Sequence, residues 1–171
     1  MPSSRNTAEF IIRPMVASDL AALEPWLEVP RVRRWFDDPD YMTDLKDDMS
    51  DDRIRQWIVE DDGTAVAYLQ DYDIHGWQDH PLGFLPQGAR GMDTFVFGEE
   101  RMGQGLAARY LRQHCLALFS EGCPALGIDP HPSNAAAIRC YEKVGFVAGT
   151  EADTDWGRVL KMSLHPKAVR T

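Results

Sequence analysis

The chain has 171 residues, of which 44% are hydrophobic and 26% are charged. This length and composition favour one globular domain with a real core, and they argue against a disordered, collagen-like or disulfide-scaffold protein. With 18 basic and 27 acidic residues, the formal net charge is −9. Such acidity argues against binding to nucleic acid phosphates and favours a cationic partner, although an acidic surface that serves only solubility is the alternative.

The cysteines and the N-terminus bear on where the protein works. Cys115, Cys123 and Cys140 form no CxxC pair, which favours reduced thiols in a cytosolic protein. The N-terminus lacks the apolar core of a signal peptide, and no window has the apolar length of a membrane span. We therefore expect a cytoplasmic protein that binds neither membrane nor nucleic acid. The sequence leaves the oligomeric state open between a monomer and a homodimer. Residues 1–171 are expected to form one domain, with 1–8 as a flexible lead.

The first predicted elements are short. Residues 10–13 have the pattern of a strand, which Pro14 ends. Ser18 is the expected cap of a helix that Pro25 kinks or divides. Residues 30–53 are rich in charge, and we expect one short helix and loops there.

A hairpin is the clearest local prediction in the first half of the chain. Two strands, at 54–59 and 64–73, flank Asp62-Gly63, which is a strong signal for a two-residue turn. Residues 74–90 contain several glycines and prolines and predict a long loop, a feature that is usually functional in a compact domain. A strand follows at 90–97, and its alternation places on one face Asp93, Phe95 and Phe97.

The second half alternates between helices and strands. An apolar stripe with helical spacing runs from residue 107 to 118, and Gly122 is a plausible stop. A short strand at 125–129 follows, and then Ser133 or Asn134 caps a helix that runs to about Gly145. Strands at 146–147 and 158–164 close the chain, joined by residues 150–157. The order of elements predicts an α/β domain.

A glycine-rich turn precedes the longer of these helices. In the segment 102–107, MGQGLA, Gly103 and Gly105 allow a tight turn and close approach of a ligand. Unpaired amides at a helix start bind anions, and a pyrophosphate fits such a site. The segment matches neither a dinucleotide fingerprint nor a P-loop, and an ordinary turn is the alternative.

Residues 129–146, DPHPSNAAAIRCYEKVGF, resemble the signature N-x-x-A-I-x-x-Y-x-K-x-G-F of the GCN5-related N-acetyltransferases (GNAT). The glycine-rich turn is similar to the acyl-CoA pyrophosphate loop of that family, with Met102 where Gln or Arg is usual. The resemblance covers roughly residues 64–164. It implies a GNAT fold, in which helices flank a mixed, mostly antiparallel sheet of six to seven strands.

Within that family the chain looks most similar to the aminoglycoside 6′-N-acetyltransferases, through the stretches 68–72, 90–93 and 129–143. The resemblance implies a cytoplasmic antibiotic-resistance enzyme that transfers an acetyl group directly from acetyl-CoA, without a metal, to a small cationic amine. One alternative is an enzyme of the same fold that acylates a siderophore hydroxylamine, a lysine or a protein amine. A non-catalytic module that binds acyl-CoA or an aminoglycoside is the alternative from another class.

The reaction that the resemblance implies needs a proton acceptor and a proton donor. A primary amine has a pKa near 10, so a carboxylate placed to accept its proton assists the attack. The resemblance puts the substrate-activating residue at Asp93, whose alternative role is to bond a neighbouring amide. It puts the acid for the departing thiolate at Tyr141, which is otherwise a core aromatic residue.

The remaining expected site residues fall into two groups. The resemblance implies that coenzyme A is bound by residues of the strand, the turn and the second helix: Phe95, Val96, Phe97, Met102, Gly103, Gln104, Gly105, Leu106, Ala107, Asn134 and Lys143. The acceptor is expected to contact carboxylates, an amide and aromatic rings: Trp35, Gln70, Asp71, Trp77, Asp79, Asp93 and Asp129. Core packing of the aromatic residues and solvated loop charges are the alternatives.

Overall fold

A computed structural model describes residues 9–170, with Glu99 described by its backbone only. The expected flexible lead, 1–8, lies outside these residues. The centre of the fold is a seven-stranded sheet in the order β1-β2-β3-β4-β5-β7-β6. Neighbouring strands are antiparallel except β4 and β5, which confirms the predicted mixed sheet. The strands are β1 Ile11–Pro14, β2 Ile54–Asp61, β3 Thr64–Asp73, β4 Arg90–Val96, β5 Leu126–Ile128, β6 Val147–Thr154 and β7 Gly157–Leu164.

In the part of the chain that the structure describes, five α-helices cover the sheet: α1 Leu20–Leu27, α2 Pro30–Arg33, α3 Tyr41–Asp48, α4 Leu106–Ser120 and α5 Ala135–Val144. Leu69 of β3 is buried in one cluster with α4 and α5, while the preceding Tyr68 is buried with α1, α2 and α3. Because consecutive strand residues point to opposite faces, the two helix groups lie on opposite sides of β3. Within 9–170, no helix combines the length and apolar character that crossing a membrane requires.

The first helix differs from the prediction. Ser18 lies in a 3-10 turn, Ala17–Asp19, and does not cap the helix that follows. The carboxylate of Asp19 accepts instead from the amide of Val16 and from Arg13, each at 2.8 Å. Pro25 lies inside α1 and does not end it. The proline removes one amide hydrogen bond, and the helix continues for two more residues, to Leu27. Residues 30–53 contain two helices, α2 and α3, where we expected one.

The predicted β2–β3 hairpin is confirmed, whereas the prediction for the last hairpin, β6–β7, is wrong in its bounds. Asp62 and Gly63 both have positive φ, 50° and 76°, as a two-residue turn between twisted strands requires. At the other end, the expected connection 150–157 is mostly strand, since β6 continues to Thr154. β6 is an edge strand exposed over most of its length, so it carries no apolar alternation that would reveal it.

Candidate active site

A cleft of about 1620 Å³ opens where β4 and β5 part. In the described part of the chain, these parallel strands pair only at Arg90 and Gly91 of β4. Beyond this point they diverge, and the gap is walled by α2, the loop after β3, the starts of α4 and α5, and the β6–β7 turn. Pockets for one small ligand are usually about 300–1,000 Å³, so this cleft has room for two.

The turn before α4 is built to receive an anion. Gly103 and Gly105 both have φ of 75°, and a Cβ built on either glycine would have no atom within 4 Å. Gly105 is the N-cap of α4, so the amides of the first turn, including those of Leu106 and Ala107, have no partner within the helix. The helix dipole favours negative charge at this point. Backbone donors here therefore fit the diphosphate of coenzyme A.

The residues before these glycines contribute unequally to the cleft. The side chain of Met102 lines it, which is compatible with an anion site made of backbone amides. The side chain of Gln104 turns away, and its Nε2 donates to the carbonyl of Glu100 at 2.7 Å. The prediction for Gln104 is therefore limited to its backbone amide.

Only part of the predicted β4 edge faces the gap. The amide of Phe97 donates to the carbonyl of Val66 at 2.7 Å, while the amide of Arg90 donates to Ala125 of the other neighbour. Because amides alternate in direction along a strand, the amide of Phe95 points to β3 like that of Phe97. Of the three predicted residues, only Val96 therefore presents its amide to the gap.

Two predicted residues of α5 line the same side of the cleft. Oδ1 of Asn134 accepts from the amide of Ala137 at 3.2 Å, so Asn134 caps α5 as predicted. The side-chain NH2 of Asn134 has no hydrogen-bond partner within 9–170 and stays available to a ligand. Lys143 also lines the cleft and is exposed. Both residues are placed to contact a cofactor that enters from the α4 turn.

Asp93 and Asp129 form a pair of carboxylates at the floor of the cleft. Nε2 of Gln70 donates to Oδ2 of Asp93 at 2.8 Å. Burial raises the pKa of Asp93, and the hydrogen bond from Gln70 lowers it by a smaller amount. Burial also raises the pKa of Asp129, and the negative charge of Asp93 raises it further, to about 8. Solvent reaches both side chains through the open cleft, while protein surrounds them on the other sides. Such a pair can hold a shared proton and attract an ammonium group.

Tyr141 lies beside this pair, with only 8% of its surface exposed. Burial raises its pKa well above the ordinary value, and the charges of Asp93 and Asp129 act in the same direction. Its hydroxyl has no hydrogen-bond partner among residues 9–170. Tyr141 therefore stays protonated at neutral pH, with a hydrogen free to donate to a group in the cleft.

Trp35, Trp77 and Asp79 line the outer part of the cleft. The guanidinium of Arg34 lies 4.9 Å from the ring centroid of Trp35, and that of Arg53 lies 4.3 Å from the ring centroid of Trp77. Asp79 is exposed at a positive φ of 59° in the loop after β3. Each indole also has an aromatic neighbour, since the ring centroid of Trp35 lies 5.7 Å from that of His131 and the ring centroid of Trp77 lies 5.8 Å from that of Tyr72.

An aromatic wall beside Asp93 was not predicted from the sequence. The ring of Tyr72 crosses Gly91 so closely that a Cβ there would lie 2.2 Å from it. His80 contacts Tyr72 with ring centroids 5.4 Å apart and contacts Trp156 of the β6–β7 turn at 6.0 Å. The one usable signal was a glycine inside a predicted strand, which often marks a close approach.

Asp71, unlike the other residues predicted to contact the acceptor, does not line the cleft. Its side chain is fully buried on the opposite face of β3 from Gln70. There its carboxylate accepts from Trp57 Nε1 at 2.7 Å, His114 Nε2 at 2.9 Å and Arg55 Nε at 2.8 Å, and also from Arg90. Burial alone would raise the pKa of Asp71, but the bond from His114 and the neighbouring cations lower it to about 2. Asp71 is therefore a buried structural anion, and its predicted contact with an acceptor is withdrawn.

Comparisons with known proteins agree with this geometry. The chain is 28% identical over 149 residues to the aminoglycoside N(6′)-acetyltransferase type 1 of Klebsiella pneumoniae, covering 79% of this chain and 72% of that protein. Aminoglycoside acetyltransferase AAC(6′)-Ib superposes in its complex with coenzyme A and kanamycin with a TM-score of 0.84, 28% identity and coverage of 94% and 96%. Its complex with paromomycin and acetyl-CoA gives 0.85 at 27% identity, with the same coverage. The family model of the acetyltransferase (GNAT) domain matches residues 15–154. The chain therefore belongs to the GNAT acetyltransferase family.

Proposed function

We propose that this chain transfers the acetyl group of acetyl-CoA to the 6′-amine of an aminoglycoside. The observation that carries the proposal is one continuous cleft that joins an anion-binding turn to a pair of carboxylates. The similarity to aminoglycoside N(6′)-acetyltransferases over most of the chain supports the same acceptor class.

In the proposed reaction, the amine nitrogen forms a bond to the thioester carbonyl carbon and the carbon–sulfur bond breaks. An acceptor ammonium is drawn to Asp93 and Asp129, and Asp93 takes the proton that the nitrogen loses. The amide of Val96 faces the gap and is placed to donate to the thioester carbonyl oxygen, where negative charge develops. Tyr141, which is protonated at neutral pH, donates its proton to the departing sulfur, so that coenzyme A leaves as a neutral thiol. Water then takes the proton from Asp93 and returns one to Tyr141, which restores both groups.

The carboxylates favour this acceptor over a hydroxylamine. A hydroxylamine is neutral at pH 7 and gains little from buried acids whose pKa values are raised. Asp79, Asp153 and Asp155 also line the cleft, so an acceptor with several ammonium groups finds several anions. A binding module without catalysis would not need a free tyrosine hydroxyl beside the carboxylate pair.

Three further proposals accompany this function. We propose that residues 1–171 are one domain, which is supported by a single sheet whose strands run from Ile11 to Leu164. We propose a cytoplasmic location, which is supported by the free thiols of Cys115, Cys123 and Cys140. We also propose that the protein acts as a monomer or homodimer on its small substrate, without nucleic acid, membrane or metal.

A substrate panel tests the proposal. Coenzyme A release is measured with kanamycin, with an aminoglycoside that carries a hydroxyl at the 6′ position, and with the hydroxylamine N6-hydroxylysine. The products are examined by mass spectrometry. We expect acetylation of kanamycin at the 6′ nitrogen and rates at background for the other two. Turnover of N6-hydroxylysine but not of kanamycin would replace the acceptor, and tight binding of kanamycin without any turnover would support a binding module.

A further inference from the structure

We infer that Tyr68 is a positioning residue, which fixes the side-chain amide of Gln70 so that Asp93 is held in its ionised, proton-accepting form. This inference rests on the proposed function to the extent that Asp93 acts as the base. Tyr68 was not among the predicted site residues, and its side chain is fully buried beneath the cleft.

A line of hydrogen bonds connects Tyr68 to the carboxylate. Tyr68 and Gln70 project from the same face of β3, two residues apart. The hydroxyl of Tyr68 donates to Oε1 of Gln70 at 2.7 Å, and Nε2 of Gln70 donates to Oδ2 of Asp93 at 2.8 Å. The ring of Tyr68 is held by stacking on Phe95, with centroids 5.2 Å apart and an interplanar angle of 27°.

Gln56 sets the direction of this line. Nε2 of Gln56 donates to the carbonyl of Leu45 in α3 at 2.9 Å. A hydrogen bond from the side chain of Gln56 also acts to lower the pKa of Tyr68, which burial raises. Because the Gln56 amide donates to the oxygen of Tyr68, the single hydroxyl hydrogen of Tyr68 is left to point toward Gln70. Only the carbonyl oxygen of Gln70 can accept it, so the NH2 group of Gln70 must face Asp93.

The orientation of Gln70 decides which form of Asp93 is favoured. An NH2 group donates to a carboxylate but offers nothing to the hydrogen of a carboxylic acid. If Gln70 turned over, its carbonyl would accept from protonated Asp93, but the buried hydroxyl of Tyr68 would then lose its acceptor. Because an unsatisfied buried donor is costly, Tyr68 opposes that turn.

The other groups that face Asp93 do not favour its charge. From β5 comes the carboxylate of Asp129, whose own pKa is raised by the charge of Asp93. Four buried tyrosines of α3, β3 and α5 have pKa values that burial raises and that the negative charge of Asp93 raises further: Tyr41, Tyr68, Tyr72 and Tyr141. Burial raises the pKa of Asp93, and the hydrogen bond from Gln70 is the interaction that lowers it. Loosening Gln70 should therefore move the titration of Asp93 upward.

The test is the substitution Tyr68→Phe, which removes one hydroxyl and keeps the stacked ring. The titration of Asp93 is followed by the carboxyl carbon resonance, assigned with Asp93→Asn, and the pH profile of kcat/KM is measured in parallel. We expect both the midpoint and the acid limb to move to higher pH by about one pH unit. Gln56→Leu should move them in the same direction by less.

Tyr110→Phe is the matched control. Tyr110 is also fully buried, and its hydroxyl bonds to Oγ1 of Thr94 at 2.6 Å. Thr94 in turn donates to the main-chain carbonyl of Tyr68, and within 9–170 its side chain bonds neither to Gln70 nor to the carboxylate of Asp93. It should leave the titration of Asp93 unchanged. An unchanged Asp93 midpoint in Tyr68→Phe, or an equal shift in Tyr110→Phe, would overturn the inference. The resonance does not depend on turnover, so absence of acetyl transfer in the wild type would refute the proposed function alone.

Discussion

Gln70 and Asp71 are consecutive residues of β3 that serve opposite faces of the sheet. Gln70 donates to Asp93 at the floor of the cleft, whereas Asp71 accepts from Trp57 and His114 beneath α4. One strand thus carries both a contact to the proposed base and the most heavily bonded anion of the core. Substitutions at the two faces should therefore separate effects on turnover from effects on stability.

Asp93→Asn should lower kcat/KM for the aminoglycoside by about 10² to 10⁴, because the amide cannot accept the amine proton. The dissociation constant for coenzyme A should stay the same, since Asp93 is not among the residues proposed to bind coenzyme A. Asp62→Asn is the matched control in the β2–β3 turn, and steady-state kinetics with calorimetry measure both quantities. A wild-type rate in Asp93→Asn would remove Asp93 from the mechanism.

Tyr141→Phe should lower kcat by at least about tenfold while the KM for the acceptor changes little. The loss of the hydroxyl leaves the thiolate without a proton donor, and Tyr141 makes no hydrogen bond within 9–170 that the core would miss. Its thermal midpoint should equal that of the wild type. Unaltered kcat together with an unchanged midpoint would assign the proton to water.

Gly105→Ala should weaken coenzyme A binding, because a side chain at this φ of 75° strains the turn that presents the amides. Gly122 at the other end of α4 also has a positive φ, 97°, and also has open space around its Cα. Both alanine variants should lose about 1 kcal/mol of stability. Only Gly105→Ala should raise the dissociation constant in calorimetry, and equal binding by the two variants would refute the anion site.

Asp129→Asn should stabilise the fold at pH 8 and leave it unchanged at pH 4. A carboxyl with a folded pKa of about 8 binds a proton that the unfolded chain has already released, so its contribution falls as pH rises from about 4 to about 8. Thermal midpoints across this range measure the effect. Acceptor binding should weaken in the same variant, and a parallel loss of stability at pH 8 would contradict the prediction.

Asp71→Asn should cost about 3–5 kcal/mol of unfolding free energy at pH 7, because it leaves the buried ends of Arg90 and His114 without their anion. Since the pKa of Asp71 is lowered to about 2, its stabilisation is complete above about pH 4 and is lost as pH falls toward 2. Urea denaturation should show a difference from wild type that is smaller at pH 2 than at pH 7 by about 2 kcal/mol. An equal difference at both pH values would assign the loss to packing.

Local signals account for the parts of the fold that the sequence predicted well. The turn at Asp62 and Gly63 and the cap at Asn134 depend on neighbouring residues, so their patterns are visible in a few letters. Asp93 and Asp129 were predicted for the site from the resemblance, which covers the strands that carry them. β6 was mostly missed because an exposed edge strand needs no apolar alternation.

The wrong expectation for Asp71 has a different cause. His114 lies 43 residues from Asp71 along the chain, and Arg90 lies 19 residues away, so no local pattern reveals their shared contact. The face of a strand residue also depends on register, and a shift of one position exchanges Gln70 for Asp71. Tyr68 was not predicted as a site residue for another reason, because a buried tyrosine among apolar residues has the pattern of core packing.

The ion cluster around Asp71 also has a consequence for how this enzyme can vary. His114 lies in the middle of α4, and that helix begins at the turn proposed to hold the diphosphate. Its bond to Asp71 holds α4 against β3, the strand whose Gln70 bonds to Asp93. The distance between the proposed diphosphate site and the proposed base is therefore fixed by contacts in the core. Loops at the rim can then change length or charge to admit other acceptors while the distance between the proposed diphosphate site and the proposed base stays constant.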